Sequence, residues 1–141
     1  PARRMVPADL PRTDFSLWVL VDLSPEATVA EGAFCDGITP KGKEGPEGPQ
    51  GSRQGINDYT GWFAADPEMA GDYYGYDGPC PPFNDSIVHH SRVTAYALDV
   101  GRLPVDGKFT AADVQTAIEG HVLGQASLVA KYTINQSAKE L

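Results

Sequence analysis

Three histidines are the side chains of this sequence best suited to chemistry near neutral pH, because imidazole titrates there and contacts both anions and metals. His89 and His90 are adjacent, so an extended backbone would turn their rings to opposite faces. That arrangement argues against one metal site formed by both rings. His121 lies in a predicted helix without a partner four residues away, and we interpret it as a core or capping residue. For His89, a structural hydrogen bond and a contact with an anion or polar ligand are both open interpretations.

No recognisable nucleophile pattern accompanies these histidines. The sequence contains no G-x-S-x-G, no G-x-x-x-x-G-K and no H-E-x-x-H. Carboxylates are plentiful on the predicted turns of an acidic chain, where they usually meet solvent or cap a turn. The ones interpreted in this way are Asp58, Asp66, Asp72, Asp77 and Asp85. The sequence therefore predicts a protein that is not an enzyme and that uses no metal or cofactor.

A proline-rich segment, GYDGPCPPFNDSIVHH from Gly75 to His90, leads directly to the paired histidines. Its three prolines and two glycines exclude a helix or a central strand and predict a stiff loop that holds His89 in a fixed position. Cys35 and Cys80 match no zinc or redox spacing, so we interpret them as packed thiols. Whether the two cysteines pair in one disulfide is left open by the sequence.

Three apolar segments, rich in β-branched and aromatic residues, are predicted to be strands. They are FSLWVLVDL from Phe15 to Leu23, which reads as buried on both faces, VTAYALDV from Val93 to Val100, and SLVAKYTI from Ser127 to Ile134. These segments predict a mainly β domain, with one late helix packed on the sheet, in which the strands position the histidines.

The late helix is predicted from its cap and its apolar spacing. Thr110 is a good N-cap, Asp113 favours the first turn, and apolar residues recur at helical spacing from Val114 to Val122. Gly120 weakens this pattern, and Gly124 is the predicted terminator of the helix.

Two further segments are predicted to be loops of different character. Residues 40–55 contain a short run with glycine at every third position, which is too short for a collagen helix and predicts a flexible Gly/Pro-rich surface loop. The next segment is predicted to be an ordered lid over the sheet. Its aromatic residues are Tyr59, Trp62, Phe63, Tyr73, Tyr74 and Tyr76.

The length and net charge of the chain limit the classes of protein to which it can belong. A chain of 141 residues predicts a single domain over residues 1–141. The net charge of −8 argues against nucleic acid or anionic membrane as a partner, since both select a basic surface. No apolar run is long enough to predict a transmembrane segment. The sequence leaves the cellular location open.

The combination of several segments resembles the phosphatidylethanolamine-binding protein family, in its bacterial Raf-kinase-inhibitor-like branch. The segments are GYDGPCPPFND followed by HH, then TAYALDV and AIEGHVLGQASLVAKYT, together with RMVPADLPRTDFSLWVLVDL and QGINDYTGWFA. The resemblance implies a β-sandwich-like domain with a small pocket for an anion, namely a phosphate or a phosphate-bearing headgroup. Gly78, Pro79 and His89 are the residues that match the pocket of the family.

The chain departs from the family at three pocket positions. The family carries D-P-D-x-P ahead of the first strand, and this sequence contains no such motif. Leu17 stands where the family usually has a histidine, and Ser91 stands where a ligand-contacting tyrosine is common. Each loss removes a polar contact worth about 1 to 3 kcal/mol to a charged ligand.

Two functions follow as expectations. The first is a non-catalytic binding or regulatory module with the anion pocket that the resemblance implies. The alternative is a structural or protein-interaction subunit of a larger complex whose pocket has degenerated. We also expect that an upstream segment or a partner chain pairs beside the first strand, because an exposed apolar strand edge promotes aggregation.

Overall fold

Strands account for most of the regular structure in the computed structural model, which describes residues 4–35, 41–45 and 47–140. β1 pairs with β2 in one two-stranded antiparallel sheet, and β3 is hydrogen-bonded to β4 in another. The mainly β fold class with a late helix is confirmed. In chain order the elements are β1 Leu20–Val21, a 3-10 turn Pro49–Gly51, β2 Arg53–Gln54, α1 Tyr59–Trp62, β3 His89–Leu98, α2 Ala111–Ala117 and β4 Val122–Tyr132.

The described chain divides into two compact units. The first unit contains residues 4–14, 79–97 and 124–140, and the second contains the described residues of 15–78 and 98–123. The second unit holds a hydrophobic core to which β1, α2 and the segment after β3 contribute. Its buried members are Val19, Val21, Leu103, Val105, Phe109 and Ile118. A single domain over residues 1–141 stays a prediction.

The strand predicted over Phe15–Leu23 is shorter than expected. Only Leu20 and Val21 pair with a neighbouring strand. Val19 and Val21 are buried, but they lie two positions apart on one face, so burial on both faces is not found. Asp22 has a left-handed backbone, with φ of 59°, and this conformation ends β1. The carboxylate of Asp22 then accepts from Arg53 Nε at 2.7 Å and from the backbone N–H of Leu103 at 2.8 Å.

The two later strands are longer than predicted and begin earlier. β3 starts at His89 and ends at Leu98, and β4 starts at Val122 and ends at Tyr132. The late helix has the predicted cap, because Thr110 Oγ1 accepts from the Asp113 N–H and the Asp113 carboxylate accepts from the Thr110 N–H.

The predicted end of the helix is wrong. α2 stops at Ala117, and Gly120 follows with a φ of 78°, a conformation that suits glycine and closes the helix four residues before Gly124. His121 consequently lies outside the helix, and Val122 is the first residue of β4.

Part of the segment predicted as a flexible loop is built into the fold. Arg53 and Gln54 form β2, and Ser52 and Gln54 are buried. Residues 40 and 46 of this segment lie outside the described residues. The aromatic segment that follows is ordered, because Tyr73 is fully buried and the rings of Tyr59 and Phe63 stack with centroids 5.7 Å apart.

Candidate functional site

A buried carboxylate lies at the centre of a charged cluster in the first unit. The side chain of Asp85 is 2% exposed and contacts both Arg12 and His89. Arg12 Nη2 donates to Asp85 Oδ1 at 2.9 Å, while Nη1 donates to Oδ2, so the guanidinium grips the carboxylate with two parallel hydrogen bonds. His89 Nε2 lies 2.8 Å from Asp85 Oδ2. We call these three residues the Arg12–Asp85–His89 cluster.

Backbone pairing on both sides holds Asp85 in place. The Val6 N–H donates to the Asn84 carbonyl at 2.8 Å, and Val6 forms a parallel bridge with Asp85. On the other side, the Lys139 N–H donates to Ser86 O at 2.9 Å. The side-chain amide of Asn135 donates to the carbonyl of Asp85 at 2.6 Å. The end of the proline-rich segment is therefore clamped between the two ends of the chain.

The electrostatics of the cluster favour an ionised Asp85. The hydrogen bond from Arg12 holds the pKa of the Asp85 carboxyl well below its usual range, and the contact with His89 acts in the same direction. Burial opposes this effect but is the weaker influence. The same hydrogen bond raises the pKa of Arg12, so this guanidinium and carboxylate remain charged throughout the physiological range.

The two basic side chains of the cluster reach solvent while the carboxylate does not. The side chains of Arg12 and His89 are 32% and 33% exposed, against 2% for Asp85. Asp85 occupies Nε2 of His89, and no described residue hydrogen-bonds the other ring nitrogen, Nδ1. The cluster thus carries no net charge with a neutral imidazole and a charge of +1 with an imidazolium. Arg12 Nη2 also donates to the carbonyl of Pro7 at 3.0 Å.

The five pocket positions singled out in the sequence fall into different units. Pro79, His89 and Ser91 belong to the first unit, and Leu17 and Gly78 belong to the second. Ser91 is half-buried on β3, two residues after His89. Gly78 is exposed, and its carbonyl accepts from the Tyr59 hydroxyl at 3.1 Å. Leu17 is half-buried, and its carbonyl accepts from the Asp77 N–H.

A buried polar network fixes the chain just before Gly78. Asp77 is 3% exposed, and its carboxylate accepts from Lys43 Nζ at 3.1 Å and from Asn57 Nδ2 at 2.8 Å. Lys43 also donates to the carbonyls of Phe34 and Tyr76, so its three donors are all used. The network fixes the backbone before Gly78 through hydrogen bonds between protein groups.

Sequence reasoning missed most of the cluster. Asp77 and Asp85 are not solvated, because both are buried in ion pairs. The turn-capping interpretation holds in part for Asp85, since its Oδ1 also accepts from the N–H of Ile87, two residues on. The role of Arg12 could not be predicted, because its partner Asp85 lies 73 residues away and the pair leaves no local sequence pattern. One sequence feature could have indicated the contact between Asp85 and His89: the two residues are four positions apart and follow a proline-rich turn.

The other histidines have separate partners. His90 Nε2 lies 3.9 Å from Glu140 Oε1, so His89 and His90 contact different carboxylates. His121 is a surface residue and not a core one, and its Nδ1 lies 2.7 Å from Asp99 Oδ1. Both cysteines are exposed free thiols, which replaces their interpretation as packed residues.

The described residues contain neither a metal-binding cluster nor a membrane-spanning helix. Within residues 4–35, 41–45 and 47–140, no three His, Cys, Asp or Glu side chains come together in a way that could hold a metal ion. The helices in this part of the chain are all too short or too polar to cross a membrane.

Comparison with known proteins identifies the family. Residues 5–133 match the family described as phosphatidylethanolamine-binding protein. A UPF0098 protein of Methanothermobacter thermautotrophicus is 35% identical over 124 residues, which cover 88% of this chain and 66% of that protein. A UPF0098 protein of Pyrococcus horikoshii is 30% identical over 124 residues, 88% of this chain and 52% of that protein. The chain therefore spans between about half and two thirds of these relatives.

A solved structure confirms the predicted fold. Escherichia coli YbcL, described as a new member of the mammalian PEBP family, superposes with a TM-score of 0.62 at 24% identity. The match covers 86% of this chain and 62% of YbcL. Both curated relatives come from archaea, so the bacterial branch predicted from the sequence stays a prediction. On the strength of the match over residues 5–133, this chain belongs to the phosphatidylethanolamine-binding protein family.

Proposed function

We propose that this chain is a non-catalytic binding module and that its Arg12–Asp85–His89 cluster binds the phosphate group of a small molecule or headgroup. The observation that supports the proposal is the difference in exposure between the acidic and the basic side chains of the cluster. Its carboxylate is buried, and two basic side chains remain about one third exposed in front of it. Charge-assisted hydrogen bonds from arginine and imidazolium are the contacts that phosphate oxygens favour.

The state of His89 decides how well the cluster can serve an anion. With Nε2 directed at Asp85, a neutral ring would donate its one proton to the carboxylate and present an unprotonated Nδ1 to solvent. The imidazolium would instead donate from Nε2 to Asp85 and from Nδ1 to the ligand. Asp85 therefore orients the ring so that Nδ1 faces away from the carboxylate, while Arg12 donates to both oxygens of Asp85.

A binding role fits the cluster better than a hydrolytic one. Among the described residues, Ser86 is the hydroxyl nearest in sequence to Asp85, and it already donates to the carbonyl of Val6. Within the described part of the chain, no hydroxyl or thiol hydrogen-bonds the imidazole of His89. A histidine with no described hydroxyl or thiol to activate can still contact a ligand, and binding is the role that we assign to it.

Titration calorimetry with inorganic phosphate and with phosphoethanolamine would test the proposal. We expect Arg12→Lys to weaken binding at least tenfold, because lysine cannot maintain the two-pronged contact with Asp85. Arg102→Lys is the matched control, since Arg102 is an exposed arginine of the second unit, and it should change affinity less than twofold. Equal effects of the two substitutions, or no binding by the wild type, would overturn the proposal.

The two ligands also separate two sources of phosphate. A preference of tenfold or more for phosphoethanolamine would favour a headgroup, whereas equal affinities would favour a free phosphate or a phosphate on varied molecules.

A second candidate function is a protein-interaction subunit with a degenerate pocket. Leu17 and Ser91 favour this reading, because a leucine replaces a polar pocket residue and a serine is shorter than the common tyrosine. Purification of the chain from its native source would test it. A stable protein complex, together with no phosphate affinity in the calorimeter, is the result that this second function predicts.

A further inference from the structure

A groove in the second unit is lined by two exposed aromatic side chains and one carboxylate, among other residues. Its volume is about 570 Å³, within the range of roughly 300 to 1,000 Å³ that small-ligand sites occupy. The exposed fraction of Trp62 is 69% and that of Phe15 is 39%. Tryptophan is on average a well buried residue, so an open indole beside a groove marks a candidate binding surface.

The two aromatic rings of the groove form a corner. The centroids of Phe15 and Trp62 lie 6.2 Å apart, and their planes meet at 79°. A second contact supports the Phe15 ring, because Tyr59 lies 5.0 Å from it with an angle of 70° between the planes. Tyr59 is buried and stacks on Phe63 with centroids 5.7 Å apart. The corner is therefore held in place before any ligand arrives.

Asp58 lines the same groove and is tied to both rings through the backbone. The Trp62 N–H donates to the Asp58 carbonyl at 2.9 Å, and the Asp58 N–H donates at 2.9 Å to the carbonyl of Ser16, which follows Phe15. The Asp58 side chain accepts from the Ser16 N–H through Oδ2 at 2.6 Å, and no described residue hydrogen-bonds Oδ1. We call Phe15, Asp58 and Trp62 the aromatic corner.

No described cation compensates the carboxylate of the aromatic corner. Asp58 is the one charged residue among those described as lining the groove. Thr110 also lines it, and the Thr110 hydroxyl donates to a second carboxylate, that of Asp113, at 2.9 Å. Lys108, two residues before Thr110, pairs instead with Asp72 at 2.8 Å. On a chain with a net charge of −8, aromatic rings beside a carboxylate favour a positively charged ligand.

We propose that the aromatic corner binds the quaternary ammonium group of a small organic cation. The face of an indole ring attracts a cation, and the methyl groups around the nitrogen can contact both rings while the charge is compensated by Asp58. This inference does not rest on phosphate binding, because the aromatic corner shares no residue with the Arg12–Asp85–His89 cluster.

A sugar is a poorer occupant of the aromatic corner. A sugar ring is flat and neutral, so it stacks on one open aromatic plane and gains nothing from an uncompensated charge. Two rings that meet at 79° instead enclose a rounded group, and the carboxylate favours one that is positively charged. Both features match a trimethylammonium group.

Titration of the full chain with choline chloride, followed by NMR, tests the inference. We expect a saturable shift of the Trp62 indole N–H, whereas the Trp18 indole, which donates to Gln54 Oε1 at 3.0 Å, should change little. Neohexyl alcohol, the analogue of choline in which carbon replaces the charged nitrogen, should bind at least tenfold more weakly. Co-sedimentation with phosphatidylcholine vesicles separates two sources of the cation, because only a lipid headgroup would carry the chain down with the vesicles.

A pair of matched variants tests the role of the charge. Asp58→Asn keeps an oxygen that accepts from the Ser16 N–H, so the variant should fold, and we expect it to weaken choline binding at least fivefold. Asp66→Asn is the control, because Asp66 is an exposed carboxylate of the same unit that accepts from the Glu68 N–H, and it should change affinity less than twofold.

Three results would overturn the inference. The first is no shift of the Trp62 indole at millimolar choline, and the second is equal affinity for choline and neohexyl alcohol. The third is an equal loss of choline binding in Asp58→Asn and Asp66→Asn. Saturable shifts of Trp62 with methyl glucoside and none with choline would assign the groove to a sugar and would likewise overturn it.

Discussion

His89 Nε2 lies 2.8 Å from Oδ2 of Asp85, a carboxylate that Arg12 holds from the other side with two hydrogen bonds. This contact orients an imidazole at the start of β3 and leaves its other nitrogen directed away from the carboxylate. Backbone hydrogen bonds of residues 84–88 to Val6 and Lys139 fix the separation of Asp85 and His89 before any ligand arrives.

Asp85→Asn should destabilise the protein strongly. The amide keeps the shape but loses the charge-assisted hydrogen bonds from Arg12, which itself stays partly solvated, so we expect the free energy of unfolding to fall by about 2 kcal/mol. Asp99→Asn is the matched control, because Asp99 also contacts a histidine but is half exposed, and it should cost about 0.5 kcal/mol or less. Urea unfolding of both variants measures the difference, and similar losses would contradict the assignment of Asp85 as a buried anchor.

The stability that Asp85 contributes should depend on pH in a defined direction. Its pKa is lowered in the folded protein, mainly by the hydrogen bond from Arg12, so its contribution is fully present above the unfolded pKa of about 4. The contribution is lost as the pH falls from that value toward the lower folded pKa. Unfolding curves of the wild type and Asp85→Asn should therefore converge between about pH 4 and pH 2. A gap between the two proteins that stays constant over this range would refute the expectation.

Phosphate binding should depend on His89 and not on His121. His89 Nε2 lies 2.8 Å from Asp85 Oδ2, and no described residue hydrogen-bonds the other ring nitrogen, Nδ1, so that nitrogen is left for the ligand. We expect His89→Ala to weaken phosphate binding at least tenfold in calorimetry, whereas His121→Ala, the matched control, should change affinity less than twofold. Equal losses in the two variants would contradict the role of His89.

Two lysine–aspartate pairs in the second unit should differ widely in energy. The side chains of Lys43 and Asp77 are 10% and 2% exposed, whereas those of Lys108 and Asp72 are 63% and 38% exposed. Lys43→Met leaves a buried carboxylate uncompensated and should cost about 3 kcal/mol, while Lys108→Met should cost less than about 1 kcal/mol. Thermal or urea unfolding measures both losses, and equal values would contradict the structural role of the Lys43 network.

The sequence predicts the local features of this fold well and the distant contacts poorly. The helix cap can be predicted because Thr110 and Asp113 lie within four residues of each other. The two long strands can be predicted from local runs of β-branched and aromatic residues. The length of β1 depends on its pairing with β2, more than thirty residues away, and no local pattern reports that pairing.

The candidate site shows the same limit. His89 could be singled out because a rigid segment leads to it, and the resemblance to the family added Gly78 and Pro79. Arg12 and the burial of Asp85 could not be predicted, since burial of a carboxylate is set by a cation far along the chain and by backbone pairing with Val6 and Lys139. An acidic residue on a predicted turn gives no sign of that environment.

Titration of the histidine ring protons with inorganic phosphate, followed by NMR, tests the central claim most directly. We predict saturable shifts at His89 that are lost in Arg12→Lys, with His90 and His121 changing little. Shifts of equal size at all three histidines, or no response of His89 at millimolar phosphate, would contradict the assignment of the Arg12–Asp85–His89 cluster as an anion site.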